Sequence, residues 1–394
     1  MNLKFTFLFI LLASCLNAQW TEVASLPSSA PGRHHAVTFE LDGFGYLVTG
    51  GDADNYFRDF YKYDPQMDEW EKLPDFPGPA RAFAYGVAHN GKAYMGFGYD
   101  GTFAYSDLWE YDPSTGDWTQ LASCECEARL HPAFIANNGK LFVGLGNGQS
   151  GNTNDWWEYD IASNEWNEKP SFPAQRRHHP YHFSIGKYVY SAFGHGNNGI
   201  FNDLYRYDPQ IEEWTKMANL PAEGRVAGTQ FSYNGKGYAL SGQGDDHFYL
   251  DTGEFWEYDP VTDTWASLPA HPGPGKWAPG VFVIDGVVYM VSGENINFAN
   301  TRDMMKFDLK GLTSSIKDEI IDQVNIFPNP ASDAIKIDFD KHIDRVQVFN
   351  NLGQVVIDHS INNASINIQS LAKGAYHLIV HTGAGLYNGS FVKE

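Results

Sequence analysis

The chain has 394 residues, of which 27 are Lys or Arg and 48 are Asp or Glu, so its formal net charge is −21. This acidic balance argues against a nucleic-acid partner, whose phosphates demand basic patches, and against docking on anionic lipid. A hydrophobic fraction of 43% allows a packed core, and three Cys in a chain of this length exclude a disulfide scaffold.

The first 18 residues are typical of a secretory signal peptide. Lys4 is the positive residue, an apolar run follows, and Ala18 supplies a small side chain before a cut that would leave Gln19 first. An alternative is a bacterial lipobox at residues 12–15, which would place a lipid on Cys15. The apolar run is too short to span a bilayer, and the sequence predicts no transmembrane segment elsewhere.

Residues 20–310 carry an internal repeat. Each unit contains a basic residue, a Gly at the end of an apolar run, an aromatic–Asp pair and a Trp. The basic residues are Arg33, Arg81, Arg129, Arg177, Arg225 and Lys276, and the Trp residues are at 20, 70, 118, 166, 214 and 265. The first five Arg are spaced by 48 residues. A period of this length is typical of β-propeller blades.

Each unit reads as four short antiparallel strands separated by turn signals such as Asn90-Gly91. Trp20 has no aromatic–Asp pair before it, and Phe307-Asp308 has no Trp after it. We therefore predict six blades in residues 19–310, with the ring closed by the N-terminal strand, which completes the sixth blade.

The repeat resembles the kelch family. The resemblance covers about 290 residues as six units and rests on Gly50-Gly51, Tyr63-Asp64-Pro65 and Trp70 recurring in register. It implies an all-β, six-bladed kelch β-propeller. Only the first unit keeps the double Gly of that family, so we expect the turn to be retained while the second position varies.

Residues 311–323 are predicted to be a linker, and 324–394 a small antiparallel β-sandwich. The stretch Pro328-Asn329-Pro330-Ala331-Ser332-Asp333 and the later Leu371-x-x-Gly374-x-Tyr376 resemble the C-terminal sorting domain of the bacterial type IX secretion system. The resemblance implies a Bacteroidetes-type bacterium, the type IX machinery as a partner of residues 324–394, and a mature protein that is secreted or held on the outer cell surface. An ordinary adhesive sandwich is the alternative.

Strand parity places the repeated basic residues on the same face as the loops between second and third strands. If the first strand is innermost, as the kelch resemblance implies, these six cations ring the mouth of the central channel and favour a carboxylate ligand. In the alternative interpretation each Arg pairs with a nearby carboxylate and holds its blade together. The candidate partners are Asp59, Asp107, Asp155 and Asp203.

The loops between second and third strands mix Asn, Asp, Gly and aromatic residues, as a sugar or peptide site would, although solvated loops have the same composition. The residues that we single out there as ligand-binding candidates are Tyr56, Tyr99, His195, His247 and Phe248. The pairs His34-His35 and His178-His179 occupy matching places, but their spacing predicts no metal site. Cys124 and Cys126 are compatible with a disulfide, a thiol metal site or free thiols.

We predict a binding or interaction protein without a cofactor, whose ligand is an extracellular anionic carbohydrate, a sugar acid or a protein segment. The alternative is an enzyme resembling the N-acetylneuraminate epimerases, which are six-bladed kelch proteins. Glu223 and Arg225 are then weak candidates for an acid–base pair. Copper chemistry like that of galactose oxidase is disfavoured, because no Tyr and His copper set is recognisable.

Overall fold

The computed structural model describes residues 19–310, 324–339, 343, 345–350, 355–359, 365–382 and 385–394. The predicted signal peptide with Cys15 and the predicted linker at 311–323 lie outside these residues. The chain divides into two compact units, Met1–Gly311 and Leu312–Glu394. In the part of the chain that the structure describes, every element with defined bounds is a β-strand, and no helix is long and apolar enough to cross a membrane.

The first unit contains six four-stranded antiparallel sheets, which we number as blades 1–6 in chain order. The first strand of the chain is β1 (Thr21–Val23). Blade 1 comprises β2 (Val37–Leu41), β3 (Phe44–Val48), β4 (Phe60–Asp64) and β5 (Glu69–Leu73). Blade 2 comprises β6 (Tyr85–His89), β7 (Lys92–Gly96), β8 (Leu108–Asp112) and β9 (Asp117–Gln120).

Blades 3 and 4 each carry a small additional sheet. The strands are, in order, β10 (Arg129–Leu130), β11 (Ala133–Asn137), β12 (Lys140–Gly144), β13 (Asn147–Gly148), β14 (Gly151–Asn152), β15 (Trp156–Asp160), β16 (Glu165–Lys169), β17 (Arg177–His178), β18 (Tyr181–Ile185), β19 (Tyr188–Ala192), β20 (His195–Gly196), β21 (Gly199–Ile200), β22 (Leu204–Asp208) and β23 (Glu213–Met217). Blade 3 is β11-β12-β15-β16 and blade 4 is β18-β19-β22-β23. The small sheets are β10-β13-β14 and β17-β20-β21.

Blades 5 and 6 complete the array. Their strands are β24 (Thr229–Tyr233), β25 (Lys236–Leu240), β26 (Gly253–Asp259), β27 (Thr264–His271), β28 (Gly280–Ile284), β29 (Val287–Val291) and β30 (Met304–Asp308). Blade 6 has the order β28-β29-β30-β1, because Thr21–Val23 pairs antiparallel with β30, with Thr21 opposite Lys306. The predicted closure of the ring by the N-terminal strand is therefore confirmed.

The first strand of each blade lies innermost. These six strands contact one another in a closed cycle, β2 with β6, β11, β18, β24, β28 and back to β2. The second strands are buried over their last four residues, while the fourth strands are largely exposed. The radial order thus runs from an inner first strand to an outer fourth strand, as expected for a propeller.

Aromatic side chains fill the layers between blades. Tyr63 and Trp70 of blade 1 pack against Phe282 and Tyr289 of blade 6. The indole N–H of Trp70 also donates to the carbonyl of Ala24, 2.9 Å away, in the segment that precedes blade 1. Trp166, Trp214 and Trp265 make the same kind of bond to a carbonyl 44 to 47 residues earlier. In blades 1, 3, 4 and 5 the repeated Trp therefore ties the blade to an earlier segment, whereas the indole nitrogen of Trp118 in blade 2 has no hydrogen-bond partner among the described residues.

The second unit has two antiparallel sheets. Its strands are β31 (Asn325–Phe327), β32 (Ala334–Asp338), β33 (Arg345–Phe349), β34 (Val355–His359), β35 (Ser365–Asn367), β36 (Gly374–Thr382) and β37 (Gly385–Lys393). The sheet orders are β31-β32-β35 and β34-β33-β36-β37. An apolar cluster drawn from both sheets, with Ile335, Val348 and Leu378 fully buried, forms the core. This agrees with the predicted all-β C-terminal domain.

Closing the ring with β1 predicts a large loss of stability for Trp20→Ala. Trp20 is 4% exposed, packs on Phe255 and Phe307, and donates its indole N–H to the carbonyl of Pro269. We expect the free energy of unfolding to fall by about 3–5 kcal/mol, measured by urea denaturation with far-UV circular dichroism. The exposed Glu22 of β1, two residues after Trp20, provides the control, since Glu22→Ala should change stability by less than about 0.5 kcal/mol. Equal effects of the two substitutions would contradict closure through this strand.

Candidate functional site

The repeated basic residues are buried and bonded to carboxylates. Arg33, Arg81, Arg129 and Arg177 are 0–1% exposed. In blade 1, the two terminal nitrogens of Arg33 contact the two carboxylate oxygens of Asp59 at 2.5 and 2.7 Å, and Nη1 also donates to the carbonyl of Thr49 at 2.8 Å. The same arrangement joins Arg81 to Asp107, Arg129 to Asp155 and Arg177 to Asp203.

These four Arg side chains therefore do not form part of an open cationic ring, and their binding of an anionic ligand stays a prediction. Each guanidinium already has a bidentate carboxylate partner and is shielded from water, so a ligand would have to displace a buried ion pair to reach it. The contacts are those of the alternative interpretation, in which each Arg holds its blade together. Arg33, for example, connects the start of the inner strand to the ends of β3 and β4 that face it.

Blades 5 and 6 depart from this pattern. Arg225 makes one bond, from Nη2 to Glu254 at 2.9 Å, and its Nε and Nη1 have no hydrogen-bond partner among the described residues. Lys276 replaces the Arg in blade 6 and binds Asp303 at 2.6 Å. Glu223 accepts the backbone N–H of Asp245 at 3.1 Å. The two weak catalytic candidates, Glu223 and Arg225, are thus held by other partners, and the structure shows no bond between them.

A ring of six residues surrounds the propeller axis on the side of these ion pairs. Its members lie two residues after each basic residue and are His35, Phe83, His131, His179, Ala227 and Ala278; we call them the axial ring. All six have left-handed backbone conformations, with φ between 47° and 62°. Backbone bonds connect neighbouring blades here, for example from the His131 N–H to the Phe83 carbonyl at 3.1 Å and from the His179 N–H to the His131 carbonyl at 3.2 Å. Such φ values are costly for side-chain-bearing residues, and these bonds hold them in place.

The three histidines of the axial ring meet at the axis. His35, His131 and His179 are 5–8% exposed, and each offers one ring nitrogen within 4.8 Å of the others. Nε2 of His35 lies 2.8 Å from Nε2 of His179, and the rings of His131 and His179 stack with centroids 3.5 Å apart. Burial is the main cause that holds the pKa of each of the three well below its ordinary value. The three imidazoles are therefore neutral at pH 7 and have the chemistry of metal ligands.

Sequence reasoning missed this cluster. It noticed His34-His35 and His178-His179 as pairs but did not align them with His131. The signal was present in the spacing. His35 and His131 are 96 residues apart, His131 and His179 are 48 apart, and both distances are multiples of the repeat length. The three residues therefore occupy the same place in blades 1, 3 and 4. The residue pattern alone predicted no metal site. The geometry of the three histidines does not support that expectation.

Histidines continue from the axial ring toward the loops. The ring of His178 packs against that of His195, with centroids 5.0 Å apart, and His195 packs edge-on against His247 at 4.5 Å. The structure therefore brings together two of the predicted ligand-binding residues, His195 and His247, although they belong to loops of different blades. Tyr56 and Tyr99 also meet across a blade boundary, with their rings 6.0 Å apart.

The loops between second and third strands all pair with the segments that follow the basic residues. They span residues 49–59, 97–107, 145–155, 193–203, 241–252 and 292–303, and we call this side of the propeller the loop face. In blade 1, for example, His34 pairs with Gly51, which pairs with Tyr56. Three aromatic side chains are strongly exposed there: Phe103 (65%), Phe248 (70%) and Phe298 (74%).

The inner strands enclose a cavity of about 280 Å³ along the axis. Its lining includes two members of the axial ring, His35 and Ala278, together with Tyr85, His182 and Gln230. The axial ring therefore adjoins this channel.

Cys124 and Cys126, in the connection between β9 and β10, form a disulfide, which is the first of the three states that the sequence left open.

The buried ion pairs predict which Arg substitutions destabilise the propeller. Arg81→Ala should lower the free energy of unfolding by about 3–5 kcal/mol, because it leaves Asp107 buried without its partner. Arg81→Lys should cost less, since Lys276 performs the same task in blade 6. Urea denaturation followed by Trp fluorescence reports on the propeller alone, because all 11 Trp lie between residues 20 and 277.

The control for this series is Arg58, whose side chain is 54% exposed and lies 3.9 Å from Asp75. Arg58→Ala should change the free energy of unfolding by less than about 1 kcal/mol. If Arg81→Ala were as mild as Arg58→Ala, the repeated Arg would not be a structural ion pair.

A second prediction concerns acid stability. His182 is buried in the channel wall, where burial lowers its pKa to about 4. Its Nδ1 lies 3.1 Å from the carbonyl of Pro180, and Nε2 lies 3.3 Å from the amide nitrogen of Gln230. The unfolded chain therefore takes up this proton first, and stability present above pH 6.5 is lost as the pH falls from 6.5 toward 4.

We expect His182→Gln to flatten the dependence of unfolding free energy on pH by up to about 1.4 kcal/mol per pH unit in this window. Urea denaturation of both proteins at pH 7.5, 6 and 5 measures the two slopes. Indistinguishable slopes would show that His182 is not held neutral by the fold.

Comparison with known proteins agrees with this architecture. Residues 47–77, which include β4 and β5, match the Kelch motif, and residues 325–394, which include β31 to β37, match the Secretion system C-terminal sorting domain. Among curated proteins, an ulvan lyase from Nonlabens ulvanivorans is 35% identical over 74 residues, which are 18% of this chain and 14% of that relative. The first unit is thus a six-bladed β-propeller with a Kelch motif in its first blade, and the second unit matches the Secretion system C-terminal sorting domain.

Proposed function

We propose that this exported propeller is a binding protein that recognises an extracellular glycan through its loop face. The observation that carries the proposal is the segregation of exposed aromatic rings. Phe103, Phe248 and Phe298 belong to three different blades, and all three lie on the loop face. Among the exposed aliphatic side chains of the described propeller, Met67, Ile211 and Val261 lie in turns between third and fourth strands and hence on the opposite face, whereas Ile296 shares the loop face.

The loops that carry these rings are held in defined conformations. Oδ1 of Asp100 accepts the backbone N–H groups of Thr102 and Phe103 at 2.8 and 2.7 Å. Asp246 accepts the N–H of Phe248 at 2.8 Å. In blade 6, the backbone N–H of Phe298 bonds to the carbonyl of Asn295 at 2.8 Å. Ordered loops lose little backbone conformational entropy on binding, which favours the use of this face for contact.

Aromatic rings beside amide and carboxylate groups suit a sugar surface, which offers apolar C–H faces flanked by hydroxyl groups. The six basic residues are engaged in ion pairs, so an acidic group is not required of the ligand. Tyr56, Tyr99, His195 and His247 remain candidate contacts on the same face. The similarity to an ulvan lyase covers too little of either chain to support the assignment of a substrate.

No contact in the described residues favours the epimerase alternative, because Glu223 and Arg225 are each bound elsewhere. The test below nevertheless includes it.

The proposal predicts that glycan binding depends on the exposed rings. Purified protein is screened against neutral and acidic oligosaccharides by ligand-observed NMR, and the affinity of a hit is then measured for single Phe→Ala variants at 103, 248 and 298. Each ring should contribute about 0.5–1.5 kcal/mol, so each substitution should weaken binding about 2- to 12-fold. Ile211→Ala and Val261→Ala are matched controls on the opposite face and should leave the affinity unchanged.

Three results would overturn the proposal. Silence across the glycan panel, with binding to a peptide or protein instead, would make the loop face a protein-binding surface. Equal effects of the loop-face and control substitutions would place the site elsewhere. Accelerated exchange between the anomers of sialic acid would restore the enzyme alternative.

A further inference from the structure

We propose that the axial ring binds a divalent transition-metal ion of the zinc type through His35, His131 and His179. This site is distinct from the exposed rings of the loop face and does not depend on glycan binding.

Three identical ligands at one repeat position are the first argument. The axial ring can be built without histidine, because blades 2, 5 and 6 place Phe83, Ala227 and Ala278 there with the same left-handed backbone. In blades 1, 3 and 4 the ring instead carries imidazoles that are more than nine-tenths buried. Burying polar nitrogens costs free energy unless they find partners, so packing alone does not explain these three residues.

The partners of the three imidazoles are incomplete. Nε2 of His131 and Nδ1 of His179 are buried and have no hydrogen-bond partner among the described residues. Nε2 of His35 contacts Nε2 of His179, and these two lone-pair sites need either a shared proton or a shared ion. A cation bound by the three Nε2 atoms would satisfy Nε2 of His131 and replace the direct contact between Nε2 of His35 and Nε2 of His179.

The side chains must rotate before the three ring nitrogens can share an ion, because the rings of His131 and His179 are stacked with centroids 3.5 Å apart. A tetrahedral ion with metal–nitrogen bonds of about 2.0–2.1 Å holds its ligand nitrogens about 3.3 Å apart. One pair of ring nitrogens here is 2.8 Å apart, and all three lie within 4.8 Å of one another. Rotation about the side-chain torsions can close this difference, while the backbone bonds around the axial ring hold the three Cα positions.

Groups outside the ring orient the proposed ligands. Nδ1 of His131 lies 3.3 Å from the side-chain oxygen of Asn147, which directs its proton there and leaves the Nε2 lone pair free. Nδ1 of His35 lies 2.9 Å from Nδ1 of His34, so one of these two nitrogens donates to the other. Asn147 is itself fixed by a 2.6 Å bond to Asn152. Such outer contacts are typical of metal-binding histidines, because they select the tautomer that presents a lone pair to the ion.

The donor set selects the class of ion. Three imidazole nitrogens suit Zn²⁺, Co²⁺, Ni²⁺ and Cu²⁺, whereas Mg²⁺ and Ca²⁺ prefer oxygen ligands. The aromatic rings of Phe83 and Trp277 pack against His35 with centroids 4.6 Å away and make one wall apolar. The channel that adjoins His35 gives room for a water molecule as a fourth ligand.

The test measures metal binding directly. The full chain, purified without a metal-affinity step and without reductant, is treated with a chelator, and Zn²⁺ is then titrated by isothermal calorimetry. We expect one ion per chain and a Zn²⁺-dependent rise in the melting temperature. Replacing Zn²⁺ with Co²⁺ should give the d–d absorption of a tetrahedral site with nitrogen ligands.

The variants locate the ion. His131→Phe installs the residue that blade 2 has at the same position, and His179→Ala installs that of blade 5. Each should weaken Zn²⁺ binding by about 100-fold or more, because it removes one of three ligands. Asn147→Ala leaves the axial ring intact and should weaken binding about 10- to 100-fold, which keeps the test valid if a ring variant fails to fold.

Two controls use histidines away from the axial ring. His271 is 2% exposed and bonds Ser241 and Pro272, so His271→Gln should leave Zn²⁺ affinity unchanged. The double variant His195→Ala/His247→Ala should also bind normally. The proposal is overturned if chelated protein takes up no stoichiometric Zn²⁺, if His131→Phe binds as tightly as the unaltered protein, or if the loop pair proves to hold the ion.

Discussion

The buried ion pair between a basic residue and a carboxylate is the interaction on which the loop face depends. Arg33 bonds to both oxygens of Asp59 and to the carbonyl of Thr49, so one side chain fixes three segments of its blade. A guanidinium shielded from water needs such partners, because an unpaired buried charge is strongly destabilising. The axial position follows two residues later, and its left-handed backbone is tied to the neighbouring blade. The ion pair therefore determines which position of each repeat lies at the axis.

This framework leaves the residue type free to vary at the axial positions and at the tips of the loops. At the axis the repeat accepts His35, Phe83 and Ala227 with nearly the same φ, so the backbone does not dictate the residue type. The tips of the loops behave similarly, since side chain–backbone bonds hold the loop while the exposed ring at the tip contributes little to the fold. Functional chemistry can thus be changed in single blades without disturbing the ion pairs, the inter-blade Trp bonds or the ring closure.

The fold could be predicted because its determinants are periodic and local. The 48-residue spacing, the Trp20 strand without a preceding partner and the C-terminal motif sufficed for six blades, their closure and the second domain. The role of the Arg could not be decided in the same way, because a period does not say whether a cation faces water or a carboxylate. The useful clue was the Asp 26 residues after each of the first four Arg. The meeting of His195 and His247 depends on loop conformations that no spacing reveals.

The asymmetry of the ring shows where further specificity resides. Histidines occupy the axis in blades 1, 3 and 4, while His195 and His247 join the loops of blades 4 and 5. Blade 5 is also where the carboxylate partner is a Glu rather than an Asp, and where two nitrogens of Arg225 have no hydrogen-bond partner in the described part of the chain. A loop extended at this point moves the carboxylate from 26 to 29 residues after the Arg and exchanges a bidentate pair for a single bond. Blade 6 departs as well, because Lys276 replaces the Arg there. The departures thus fall in two consecutive blades, 5 and 6, which is the distribution expected if one sector of an otherwise regular scaffold is adapted for binding.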